Sequence, residues 1–77
     1  MKGHGSEIIL FQSMNHVLLA EKLLKGAGIS CRVIPIPRNL SSDCGVCIRF
    51  DAALRPQVEN TLRDRVEVEK IVPLDGV

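Results

Sequence analysis

The run EIILFQ, residues 7 to 12, is apolar and of strand length, and it passes directly into SMNHVLLAEKLLKGAGI, residues 13 to 29, whose apolar positions repeat with a different period. In the second segment Val17, Ala20, Leu23, Leu24 and Ala27 recur at helical spacing, while Glu21, Lys22 and Lys25 take the other face. Ser13 or Asn15 can cap the start of that helix, and Gly26 and Gly28 supply residues that end it. A chain of 77 residues holds one domain, and one this short buries only about 60% of the surface its unfolded form exposes. Each element must therefore feed one shared core.

The next segment, SCRVIPIP (30 to 37), is rich in β-branched residues but carries Pro35 and Pro37, which cannot donate to a strand ladder; it is expected as an edge strand. RNLSSD (38 to 43) reads as a polar loop. In GVCIRF (45 to 50), Val46, Ile48 and Phe50 alternate with Cys47 and Arg49, the period of a half-buried strand. DAALRPQVENTLRDR (51 to 65) reads as a second helix, with Asp51 as its cap, Leu54, Val58 and Leu62 as its stripe, and Pro56 in the first turn. VEVEKIVPL (66 to 74) reads as a last strand, and residues 1 to 6 as a flexible tail. The order predicts an α+β domain of the ferredoxin-like (βαββαβ) kind, with four antiparallel strands and both helices on one face. Right-handed crossovers then put the start of the first helix, Ser13 to His16, at the same end of the sheet as the loop that carries Cys44.

Composition narrows the partners. With 45% hydrophobic residues, 25% charged residues and a net charge of +1, the chain is a globular domain without the basic excess of a nucleic-acid binder. Phe11 and Phe50 are too few to make a base-stacking platform. No apolar run reaches the roughly 20 residues that cross a bilayer, and the start lacks a signal peptide's apolar centre, so a cytoplasmic location is expected. Because EIILFQ and SCRVIPIP are apolar on both faces and two helices hide only one, a homodimer that covers the outer face is also expected.

Cys31, Cys44 and Cys47 are an odd number of thiols, which argues against a disulfide framework. A dithiol needs its sulfurs about 2 Å apart when oxidised and its Cα atoms within about 7 Å. Along a strand, Cys44 and Cys47 stand three steps of about 3.3 Å apart and point to opposite faces, so the CGVC string is not read as a redox pair. A metal clamp would have to draw on Cys31, His4 or His16 as further ligands, and neither a metal nor another cofactor is expected. Cys31 and Cys47, within strands, fit apolar packing better than chemistry. Cys44 sits at the end of a polar loop before Gly45, near a helix N-terminus and two potential cations, Arg38 and His16. These surroundings stabilise a thiolate. From the residues alone, an activated thiol and an ordinary surface thiol both stay open for Cys44, and His16 is either a solvated side chain of the first turn or a base.

AEKLLKGAGI (20 to 29) and IPRNLSSDCGVCIRF (36 to 50) resemble the small domains of the selenium/sulfur carrier protein-like family, and the likeness runs from about residue 8 to residue 74. His16, Arg38, Ser41, Ser42, Cys44 and Gly45 stand where the family motif has its corresponding residues, whereas a small apolar residue is usual at the place of Cys47. The resemblance implies a carrier more than an enzyme. Cys44 would hold sulfur or selenium as a persulfide or selenopersulfide, taken from a donor protein and passed to an acceptor. Two other functions compete: an interaction module that dimerises through its sheet, and a thiol-based metal chaperone.

Overall fold

In the computed structural model, which describes residues 5–37, 40 and 45–74, the change of period at Ser13 is a change of element. Strand β1 spans Ser6–Leu10 and helix α1 spans Met14–Gly26. The Ser13 hydroxyl accepts a hydrogen bond from the His16 N–H at 3.3 Å, so Ser13, and not Asn15, is the cap. At the other end Gly26 is still helical and Gly28 makes the stop. Its φ is +79°, its N–H donates to the Lys25 carbonyl at 3.0 Å, and the Ile29 N–H donates to the Leu24 carbonyl at 2.9 Å. A Cβ on Gly28 would meet no atom within 4 Å, so the cost of Gly28→Ala is that of the left-handed backbone alone. We expect that variant to lose about 1–2 kcal/mol in urea denaturation with an unchanged m-value.

Strands β2 (Cys31–Pro35), β3 (Val46–Asp51) and β4 (Lys70–Pro73) complete a four-stranded sheet of order β2-β3-β1-β4, antiparallel at every pairing. The proline-bearing β2 lies at an edge, as a strand that cannot donate throughout must. Ile9, Ile48 and Phe50 share one face with Val17, Ala20 and Leu24 of α1 and with Val58 and Leu62 of helix α2 (Arg55–Leu62). Both helices therefore pack on one face. Among the described residues no helix is long and apolar enough to cross a membrane.

Several boundaries differ from the sequence reading. Ser6, assigned to the tail, pairs with Asp51 in the sheet. The Asp51 carboxylate accepts from the Ala53 N–H at 2.9 Å, but it starts a 3₁₀ turn (Ala52–Leu54), and α2 begins only at Arg55 with Pro56 in its first turn. Arg55 donates to Glu7 at 3.2 Å and to Glu59 at 3.0 Å, tying the start of α2 to β1. The last strand starts at Lys70, four residues later than its apolar pattern suggests. Val66 and Val68 pack against the core without joining the ladder, after a turn in which Asp64 takes φ +62°.

The outer face of the sheet holds a second apolar cluster. Ile8, Leu10 and Cys47 are fully buried there, packed with Ile34, Ile36, Leu40, Val72 and Leu74 of the same chain. Ile36, Leu40 and Leu74, from segments that flank the strands, thus cover part of the face that was expected to meet a second copy.

Candidate functional site

Strand register defines one end of the sheet as the place where several sequence-singled features meet. Ile9 is the partner of Ile48 and Leu10 the partner of Lys70, so the end of β1, from which α1 departs, lies beside the starts of β3 and β4. Gly45 immediately precedes β3 at this end. Its carbonyl accepts from the Ile36 N–H at 3.1 Å, which extends the β2–β3 ladder by one bond and closes the base of the connection between them. Gly45 has φ +74° and is exposed, and among the described residues, its chain neighbours aside, no atom lies within 4 Å of where a Cβ would stand. The glycine serves the backbone conformation, and the open space beside it lets another molecule approach the chain.

His16 occupies the first turn of α1 at the same end. Its ring is half-buried, and Nδ1 is shielded from solvent with no hydrogen-bond partner among the described residues. A buried imidazole nitrogen left unpaired is costly, and it is set to accept or donate once a partner arrives. The structure thus brings His16 and Gly45 to one end of the sheet. The other residues singled out from the sequence, Arg38, Ser41, Ser42 and Cys44, lie outside the described residues.

The two remaining cysteines have settings of their own. Cys47 has no solvent exposure and points to the outer face, where its Sγ lies 4.0 Å from the Pro35 carbonyl oxygen. Cys31 opens β2, half-buried against the inner core, and burial pushes its thiol pKa up, with Lys25 pulling down and Glu21 adding to the rise. Neither is set up as a nucleophile at neutral pH. We expect Cys47 in native protein to resist iodoacetamide until the chain unfolds, and Cys31 to react slowly, gaining speed only as pH rises past the free-thiol range. Peptide mapping after timed alkylation reads both.

One arrangement escaped the sequence reading. Arg32 and Arg49 are direct cross-strand partners on β2 and β3. The signal was present in the alternation, since a hairpin that pairs Pro35 with Val46 must pair Arg32 with Arg49 three steps further on.

Comparison with known proteins adds the following. The sequence pattern of the family described as "Putative Se/S carrier protein-like" matches residues 6–73. A relative from Escherichia coli (strain K12), "Uncharacterized protein YtiA", is 44% identical over 41 residues, which are 53% of this chain and 48% of the relative. The match therefore spans about half the length of that relative. No solved structure matches.

Proposed function

The chain belongs to the Se/S carrier protein-like family, and from that premise we propose that it carries sulfur or selenium on Cys44 between a donor and an acceptor protein. The observation that carries this reading is the position of Gly45. The residue that follows Cys44 in the chain stands exposed at the sheet end where α1 begins, and there His16 holds a buried Nδ1 with no partner among the described residues. The N–H groups of the first helical turn favour negative charge, so a thiolate at this end is stabilised. Arg38, Ser41 and Ser42 lie within six residues of Cys44 in the chain, and we assign them the parts of a cation and of hydrogen-bond donors to its anion.

The transfer needs no external oxidant. The Cys44 thiolate attacks the outer sulfur of a persulfide on the donor, the donor's sulfur–sulfur bond breaks, and the donor leaves as a thiolate while a new sulfur–sulfur bond forms on Cys44. An acceptor thiolate repeats the step on the carrier. The same balance holds with selenium as the outer atom. Such chemistry requires a reduced thiol, which fits action in the cytoplasm.

We read the fold as ferredoxin-like. Followed from the β4 edge the strand order is β4-β1-β3-β2, and each helix joins two strands that have one other strand between them in the sheet, which supports a split βαβ arrangement.

A pH series of iodoacetamide alkylation on native protein tests the site. Cys44 should react fastest of the three thiols at neutral pH, and Arg38→Ala should slow it only in part, because the helix contribution stays. Equal rates for Cys44 and Cys31 would contradict an activated thiol at position 44.

A further inference from the structure

We propose that Arg32 and Arg49 form a docking site for the carboxylates of an acidic polypeptide segment. The two arginines are directly opposite each other on the outer face of β2 and β3, and both are exposed. Like charges in that relation repel and destabilise a sheet unless something neutralises them. Among the described residues the ion pairs are those of Lys25 with Glu21 and of Arg55 with Glu7 and Glu59, so neither Arg32 nor Arg49 has a carboxylate partner there.

The pair is also partly organised for a ligand. Arg49 donates from Nε to the Ser6 hydroxyl at 3.1 Å, which restrains its guanidinium and leaves the two Nη groups as donors for a forked contact with carboxylate oxygens. Asp51, two residues along the same strand, does not quench the charge: its carboxylate holds the Ala53 N–H and pairs with neither arginine. Arg32 and Arg49 border an open depression of about 520 Å³ at the end of β2, whose lining also includes Ser6, Ser30 and Asp51 and the apolar Cys31, Phe50 and Leu54. That is far more room than one inorganic anion fills.

Three occupants can be compared. A second copy of this chain is disfavoured, because a two-fold pairing of β2 edges would bring two such arginine pairs together. A nucleic acid is disfavoured by a net charge of only +1 and by the absence of aromatic residues other than Phe11 and Phe50. An acidic polypeptide supplies the missing carboxylates, and an extended one can lie along β2, which has a neighbour on one side only. The site does not depend on the role given to Cys44.

The test is an amide NMR titration of the full chain with a capped pentapeptide of alternating glutamate and threonine. Shifts should concentrate on Arg32, Val33, Arg49, Phe50 and the Arg49 Nε–H, with affinity at least about tenfold weaker in Arg32→Gln and in Arg49→Gln and binding lost in the double variant. Sodium sulfate at the same ionic strength should give weaker shifts at these groups. Unliganded Arg32→Thr should melt about 2–5 °C higher than the parent, as relief of like-charge repulsion requires. Shifts that persist in the double variant, sulfate matching the peptide, shifts centred on Lys22 and Lys25, or an Arg32→Thr melting point no higher than the parent's would each overturn the proposal. None of these readouts involves Cys44, so a failure here leaves the carrier reading standing, and the reverse also holds.

Discussion

Cys44→Ser is expected to take up no sulfur from a cysteine desulfurase charged with radiolabelled cysteine, whereas Cys31→Ser and Cys47→Ala should retain label close to the parent's. The expectation rests on the different settings of the three thiols. Serine keeps the size and hydrogen bonding of cysteine but cannot form a sulfur–sulfur bond, so the effect is a complete loss and not a slower rate. Cys47 has no exposure in the folded chain, and Cys31 is held neutral by burial beside the inner core, so neither offers a competing acceptor. Alanine is the right replacement at position 47, because a serine hydroxyl among Ile8, Leu10 and Ile34 would add a buried polar group and confuse loss of function with loss of fold. Label retained by Cys44→Ser would place the acceptor on another residue.

The second large effect is on the fold. Phe11→Ala should cost about 3–5 kcal/mol. Phe11 has no solvent exposure and sits in the short link between β1 and α1, packed into the same cluster as Val17, Ile48 and Val58. A chain of 77 residues has a total stability of roughly 4–12 kcal/mol by the usual per-residue range, so this one truncation removes a large part of it. The link also sets where α1 begins, so the variant should lose protection of Cys47 from alkylation along with its urea midpoint. A loss below about 1 kcal/mol would mean that Phe11 is not part of the core.

The sheet was legible because its signals are local. Val46, Ile48 and Phe50 alternate with Cys47 and Arg49, and the observed faces follow: the first three join the helices, and Cys47 joins the outer cluster. Pro35 and Pro37 placed β2 at an edge for the same reason that they cannot donate hydrogen bonds. What was not legible depends on contacts distant in sequence. Nothing local to Ile36, Leu40 or Leu74 says that they pack over Ile8 and Cys47, which is why the apolar outer face was expected to require a second copy. Likewise Val66 and Val68 carry a strand's pattern but find their burial against the helices' face before the ladder starts at Lys70.

At the candidate site, His16 and Gly45 were found from their places in a helix start and before a strand, and the register sets both at one end of the sheet. The burial of His16 Nδ1 without a partner among the described residues was not visible in advance, since it depends on what surrounds the ring and not on its spacing in the chain. The Arg32 and Arg49 pair was missed for the opposite reason. Each residue reads alone as an ordinary outward-facing charge, and only their register makes them partners.

Whether Cys44 carries the cargo is read by mass spectrometry of the parent protein after incubation with a cysteine desulfurase and cysteine, followed by proteolysis under non-reducing conditions. A gain of one sulfur atom, removed by reductant, is expected on the peptide that contains Cys44, with the peptides of Cys31 and Cys47 unmodified when the digest separates them. A gain confined to Cys31 or Cys47, or no gain under conditions that load the desulfurase itself, would contradict it.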